Sequence, residues 1–433
     1  MPEPLLIRGG RVIDPARAVD AVADVLIVDG RVAAVGQGLP AADHRVLDAS
    51  GLIVAPGLVD MHVHLRDPGQ THKEDLATGT AAAVRGGFTA VACMPNTVPP
   101  IDHPTVVEYV RSRAAAVAQC RVHPIGAITK AEEGRELAPI GTLAGAGVVA
   151  LSDDGGSVLD AGLLRRALFY ASMFDLLVIE HCEDPTLSAG GVMHAGAYAS
   201  VLGLRGIPWT SEAAIVARDL LLAEETDARL HIAHVSTAAA VRLIREARAR
   251  GVRVTAEVTP HHLVLRDTDV GDFDTDRKMN PPLRGESDRT ALREALADGT
   301  IDAVATDHAP HAAEEKMVEF DQAPFGVVGL ETALGVMLTH LVQPGVLSVM
   351  EAIRRMSTTP AAILGLPGGS LAPGAAGDVV LIDPEFRWTV RRVDLVSRSK
   401  NTPFDGWTLQ GRAVLTIVGG EIRHNILAVE ARA

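Results

Sequence analysis

Residues 57–69 read GLVDMHVHLRDPG, a stretch that starts apolar and closes on His62, His64, Arg66 and Asp67. Seven later stretches share that asymmetry: FTAVACMPN (88–96), RVHPIGAIT (121–129), VVALSDDG (148–155), LLVIEHCED (176–184), LHIAHVS (230–236), VRVTAEVTPHH (252–262) and IDAVATDHAPH (301–311). Each is a Val-, Ile- or Ala-rich run of strand character whose polar residues gather at its C-terminal end. Amphipathic segments separate them, such as STAAAVRLIREARARG (236–251), where Ser236 is placed to cap a helix and Gly251 to end it in a left-handed conformation. Strand-helix alternation on this scale predicts an α/β fold, a closed (β/α)8 TIM barrel with its site where the strands' C-terminal ends meet.

The two ends of the chain read differently. LLIRGGRVIDP (5–15), VLIVDGRVAAVG (25–36) and AVLTIVGGEIRH (413–424) alternate apolar and polar residues around Gly9-Gly10, Asp29-Gly30 and Gly419-Gly420, three candidate hairpin turns. We therefore expect residues 1–55 and 368–433 to form one small composite β domain beside a barrel spanning 56–367. The Gly/Ala/Pro-rich run LPGGSLAPGAAGD (366–378) serves as the linker, since it lacks the strand and lysine of a phosphate-binding loop.

Composition narrows the function classes. Hydrophobic residues make up 47% of 433 and charged residues 22%, as in globular chains, and no apolar run is long enough for a membrane span. The net charge of −14, without a Lys/Arg cluster, argues against nucleic acid as a partner, and an anionic ligand would need a local arginine. The opening MPEPLLIRGGRVIDP lacks the basic region of a secretory signal, and Cys93, Cys120 and Cys182 make no disulfide framework; both point to the cytoplasm.

On a strand, residues two apart face the same way, so His62 and His64 project together as chelation of one ion requires. An isolated pair of this kind is more often structural, but other strand ends add His181, His234, Asp307 and either Asp153 or Asp154. Imidazole with carboxylate suits zinc or another borderline divalent ion. These donors exceed what one tetrahedral ion with an open position would use, so we expect two ions sharing a bridging carboxylate and a bridging hydroxide, the apparatus of hydrolysis or its reverse. Adjacent Asp153 and Asp154 face opposite ways, and spacing does not choose between them.

The stretches DMHVHLRDPGQ, KEDLATGT, GGFTAVACMPNT, SDDG, EHCED, GLRGIP, HIAHVS, TPHHL, KMNPPLR, ATDHAPH, FDQAPFG, GLETA and NTPFDGW resemble the dihydroorotases of the amidohydrolase superfamily, of the bacterial type of about this chain length. The resemblance covers the barrel and part of the C-terminal region. It implies two zinc ions per subunit: His62, His64 and Asp307 on one, His181 and His234 on the other, with Asp154 bridging. Many relatives bridge with a carboxylated lysine; VVALSDDGG has none, and Lys130 is the only nearby rival. Arg66, Asn96 and His311 match the family's substrate-carboxylate binders and Asn280 its contact to the pyrimidine ring; a bidentate arginine is the expected clamp.

The implied reaction is the reversible cyclisation of N-carbamoyl-L-aspartate to L-dihydroorotate with loss of water, in pyrimidine synthesis. In the hydrolytic direction the bridging hydroxide would attack the ring carbonyl and Asp307 would carry its proton to the leaving nitrogen; in cyclisation the same groups would run backward. Segment 311–326, HAAEEKMVEFDQAPFG, is expected to be a mobile loop over this small-molecule substrate. Alternatives are another cyclic-amide hydrolase (dihydropyrimidinase, hydantoinase or allantoinase) or an inactive scaffold for aspartate carbamoyltransferase. An active chain could also associate with that enzyme, and family precedent suggests a homodimer. His261, His262 and His308 are read as hydrogen-bond partners beside the site, His72, His103, His123 and His194 as surface or loop residues, and Cys182 as turned away from the face of His181.

Overall fold

In a computed structural model, which describes residues 2–41 and 44–427, the chain opens with β1 (Leu5–Asp14), β2 (Val19–Val28), β3 (Arg31–Gly36), β4 (Arg45–Asp48) and β5 (Ile53–Pro56). After a single residue, Gly57, come the parallel strands β6 (Leu58–Val63), β7 (Phe88–Cys93) and β8 (Arg121–Pro124), then β9 (Ala150–Ser152) and β10 (Leu177–Glu180). A short pair, β11 (Met193–His194) and β12 (Gly206–Ile207), interrupts the series before β13 (Leu230–Ile232), β14 (Val254–Val258) and β15 (Ala303–Val304). The described chain closes with β16 (Val379–Thr389), β17 (Thr408–Val418) and β18 (Glu421–Asn425). Met1, residues 42–43 and residues 428–433, which fall in the two terminal segments, lie outside the described residues.

Strands β6-β7-β8 and β9-β10-β13-β14-β15 pair in parallel, and the bridges Gly126↔Leu151 and Val63↔His308 join the two sets into a ring. This is the TIM barrel, built from the eight stretches with polar exits. Two apolar sets hold it. Met61, Ile125, Leu177 and Ile179 pack together in one cluster, while Val63, Val91, Val178 and Ile232 pack in another with helix residues such as Leu164, Val216 and Ile244. The register between β6 and β7 slips between Asp60↔Val91 and Val63↔Cys93, placing an extra residue on β6 just where the histidines begin.

The terminal strands form one sheet in the order β18-β17-β16-β5-β1-β2-β3, with β4 also on β1. Val28↔Arg31 and Val418↔Glu421 close tight turns at Asp29-Gly30 (φ +50° and +73°) and Gly419-Gly420 (+57° and +81°), as the dipeptides predict. Gly9-Gly10 departs from expectation: it lies inside β1 as a bulge, not a turn. Gly9 takes φ +71° and donates its N–H to Asp24 Oδ1 at 2.9 Å, and a Cβ on Gly10 would stand 2.5 Å from Val54 Cγ2. The pair serves close packing on β5 instead of chain reversal.

Helix Ala238–Ala249 is capped by Thr237, whose hydroxyl accepts from Ala240 N, and not by Ser236. Ser236 is held by Glu212, which also receives the Thr237 N–H. Gly251, with φ +92°, follows the helix end as anticipated. His123 lies on β8, half-buried, instead of on the surface or in a loop; His72 is exposed, and His103 caps helix Pro104–Val117.

Candidate metal centre and substrate pocket

The ends of β6, β9, β10, β13 and β15 bring the six donors together. His62 Nε2 lies 3.4 Å from Asp154 Oδ1 and 3.5 Å from Asp307 Oδ1. His64 Nε2 lies 3.4 Å from Asp154 Oδ2 and 3.2 Å from Asp307 Oδ1. On the other side, His181 Nδ1 and His234 Nε2 stand 3.8 and 3.6 Å from Asp154 Oδ1. Two groups of ligating atoms result, His62/His64/Asp154 and Asp154/His181/His234, each within 4.8 Å, and Asp154 is common to both.

All of these side chains are buried, yet His62 Nε2 and Asp154 Oδ1 have no hydrogen-bond partner. Buried polar atoms are rarely left so, and lone pairs converging from two sides on one carboxylate fit a pair of divalent cations. Asp153 is spoken for elsewhere. Its carboxylate accepts from Ile128 N at 2.7 Å, from Thr129 N at 2.9 Å and from the Thr129 hydroxyl, on the side away from the donors. Lys130 pairs with Glu136 at the surface and does not reach them.

Several supporting groups escaped the sequence reading. Glu257 of β14 accepts from His62 Nδ1 at 2.7 Å, and its other oxygen lies 3.2 Å from His231 Nε2. Its one sequence signal is a lone acid inside an apolar strand. Asp60 accepts from the His62 and Thr306 N–H groups, at 3.1 and 3.2 Å, tying β6 to the end of β15. Glu183 sits 3.2 Å from His181 Nε2. These contacts orient the imidazoles and choose which nitrogen faces the centre. Arg66, His234 and Asp307 all adopt positive φ, at 58°, 32° and 47°, a conformation that non-glycine residues take at a cost and that clusters at functional sites.

Burial works against the charge of Asp154, but the imidazoles of His62 and His234 hold its carboxyl well below the ordinary range. Asp307 is lowered likewise against burial, by His64 and His62. Glu257, fully enclosed, is pushed down to about 2 by His62 and His231 in spite of desolvation.

Arg66, Asn96, Asn280 and His311 line the same cavity of about 230 Å³ as His64, Asp154, His181, His234 and Asp307. Arg66, only 8% exposed, donates Nε to Pro310 O at 3.3 Å, and its Nη2 lies 3.4 Å from His311 Nε2. Asn96 Oδ1 accepts from His64 Nδ1 (2.8 Å) and its Nδ2 donates to Asp154 O (3.0 Å); Asn280 donates to Glu183 at 2.7 Å. Segment 311–326 folds over this side through the short helix Ala313–Lys316. Lys316 Nζ donates to Thr275 O and Pro324 O, and Lys278 Nζ to Phe320 O.

The remaining histidines take supporting places. His262 bonds Thr259 Oγ1 and Pro281 O, His308 lies between Glu74 and the Gly329 N–H, and His261 stacks beside His262. Cys182 Sγ points to Asp219 and the Glu180 carbonyl, away from the centre.

The profile of the Dihydro-orotase-like family matches residues 51–240, and that of the Amidohydrolase family residues 214–424. The dihydroorotase of Pelotomaculum thermopropionicum is 56% identical over 418 residues, covering 96% of this chain and 98% of that one. That of Anaeromyxobacter dehalogenans is 55% identical, covering 98% of each. Among solved structures, the L-hydantoinase of Arthrobacter aurescens (28% identical, TM-score 0.87, covering 98% of this chain and 96% of that one) and the dihydropyrimidinase of Brevibacillus agri (26%, 0.85, 98% and 95%) share the architecture.

Proposed function

The chain belongs to the dihydroorotase family of amidohydrolases, and from that premise we infer that it performs the reversible cyclisation of N-carbamoyl-L-aspartate to L-dihydroorotate with loss of water, a step of pyrimidine synthesis. The observation that carries the reading is a buried arginine, Arg66, lining one cavity with a two-sided donor set that shares Asp154. An acidic chain of net charge −14 has to present local positive charge to hold a substrate carboxylate.

His62, His64 and Asp307 would hold one zinc ion, His181 and His234 the other, with Asp154 between them. Ions bound there supply Lewis-acid polarisation of the attacked carbonyl and a water that ionises near neutral pH. The chain's own groups do the rest. Arg66, Asn96 and His311 seat the carboxylate, and Asn280 contacts the ring. In the hydrolytic direction Asp307 takes the proton of the attacking water and delivers it to the ring nitrogen as the C–N bond breaks. In cyclisation it removes a proton from the carbamoyl nitrogen. The 3.2 Å contact of Asp307 with His64 Nε2 keeps its carboxylate aimed at the centre.

The same reading places the enzyme in the cytoplasm as a homodimer that can associate with aspartate carbamoyltransferase. It divides the chain into a barrel at 56–367 and a small domain from 1–55 and 368–433, and has segment 311–326 move to admit substrate. Among the described residues no helix is long and apolar enough to cross a membrane. The hydantoinase or dihydropyrimidinase reading is not favoured, because the residue common to both donor groups is Asp154 and Lys130 pairs with Glu136.

The test is turnover of L-dihydroorotate and of dihydrouracil in parallel by zinc-reconstituted protein, beside Asp307→Ala. Turnover of dihydroorotate alone, abolished in the variant, is expected. Turnover of dihydrouracil alone would move the chain to the dihydropyrimidinases, and turnover of neither would leave the scaffold role.

A further inference from the structure

The motif NTPFDGW begins at Asn401, far along the chain from every group assigned above, yet Asn401 is only 4% exposed and sits against the pocket wall. Its side-chain amide is fully committed. Nδ2 donates to Ala309 O at 3.2 Å and to Gly326 O at 3.1 Å, while Oδ1 accepts the His311 N–H at 3.2 Å. Its own carbonyl accepts from Val328 N at 2.9 Å. One side chain thus clasps both ends of segment 311–326. The clasp is close: a Cβ on Gly326 would stand 2.7 Å from Ala309 Cβ and 3.2 Å from His311 Nε2.

The residues just before Asn401 reach the opposite wall. The Arg398 N–H donates to both oxygens of Glu74 at 3.2 Å, the Arg398 guanidinium pairs with Asp75, and Ser399 Oγ donates to Lys73 O at 2.6 Å. Lys73 N returns to Gln70 O, and Gln70 N to Arg66 O, each at 2.9 Å. The strap 398–401 therefore connects the turn that carries Arg66 to the strand exit that carries His311, whose side chains approach to 3.4 Å.

We infer that Asn401 is a positioning residue for the substrate-carboxylate pocket, setting the spacing of His311 and Arg66 from outside the barrel. The inference rests on the assignment of Arg66 and His311 to the carboxylate under the proposed function. Asn401 belongs to neither the donor set nor the cavity lining and bonds only the backbone behind that lining, so its loss should change how the carboxylate is held and leave any ions in place. The two halves of the amide separate in two variants. Asn401→Ala removes both donors and the acceptor, whereas Asn401→Asp keeps the acceptor for His311 N–H and loses the donors to Ala309 and Gly326.

The experiment measures KM and kcat for L-dihydroorotate, bound zinc per subunit, and the affinity for orotate, a carboxylate-bearing ring that is not hydrolysed, in wild type, both variants and Arg66→Ala. We expect KM and the orotate Kd to rise about tenfold or more in Asn401→Ala, the loss of about one hydrogen bond's worth of placement. Asn401→Asp, which sets a carboxylate oxygen against the Ala309 and Gly326 carbonyls, should rise at least as much, with kcat within about threefold and zinc unchanged in both variants. Unchanged KM and orotate Kd, or a fall in kcat and zinc with KM unmoved, would overturn the inference; should Asn401→Ala fail to fold, Asn401→Asp decides by the same criteria. Wild type that binds orotate in an Arg66-dependent way without turning over dihydroorotate would fail the reaction while leaving Asn401 to be judged on orotate affinity alone.

Discussion

His62 and Glu257, 195 residues apart in the chain, meet inside the barrel with Nδ1 and Oε1 at 2.7 Å. The contact sets the tautomer of His62: a proton held on Nδ1 leaves Nε2 free to face Asp154 and Asp307. Glu257→Gln keeps the shape and removes the charge. We expect affinity for metal on the His62/His64 side to fall about 10- to 100-fold, the usual effect of losing a carboxylate behind a ligating imidazole. Competition against a chromophoric chelator measures it, and an unchanged affinity would refute the role.

Asp153 and Asp154 are neighbours with separate duties, and their variants should part. Asp154→Ala removes the group common to both donor sets, and metal content should drop on both sides. Asp153→Ala instead strands the Ile128 and Thr129 N–H groups, which costs about 1–3 kcal/mol of stability. Metal analysis beside urea unfolding distinguishes them; loss of metal from Asp153→Ala with Asp154→Ala intact would reverse the assignment.

Arg66→Lys retains the charge but not the planar fork. If Arg66 seats the carboxylate in two places at once, KM for dihydroorotate should rise about tenfold or more with kcat less affected. Steady-state kinetics in both directions would show it. Equal KM in wild type and variant would mean that charge alone suffices.

Two imidazoles distant from the centre should make the fold acid-sensitive. Burial, aided by Arg121, pushes His123 down to about 4, and burial, aided by Arg85 and Arg412, does the same to His424. With folded-state values below the ordinary 6.5, the unfolded chain binds more protons between about pH 4 and 6.5. Stability is therefore fully present above that window and is lost as pH falls through it, with a slope of up to about 1.4 kcal/mol per pH unit for each group. Urea midpoints at pH 7 and pH 5 for wild type and for His123→Asn with His424→Asn give the measurement. The double variant should lose less between the two pH values, and an equal loss would assign the acid response to other groups.

The barrel was legible in the chain because strand periods, helix stops and turn dipeptides act between residues two to four apart. Runs such as LLVIEHCED carry both the strand and the polar residue that will stand at its end. The donors could be named for the same reason. Gly9-Gly10 misled because a glycine pair serves a bulge as well as a turn, and which one forms depends on Val54, a neighbour brought in by another strand.

What tertiary structure alone decided is which groups meet. Spacing left Asp153 and Asp154 equivalent, and the N–H groups of Ile128 and Thr129 separated them by capturing one. Glu257 shows locally only as a lone acid in an apolar strand and Asn401 not even that, since the first acts on a histidine 195 residues away and the second on a backbone 92 residues away. Short-range preference encodes the elements, whereas a hydrogen bond between distant residues exists only once barrel closure has brought them together.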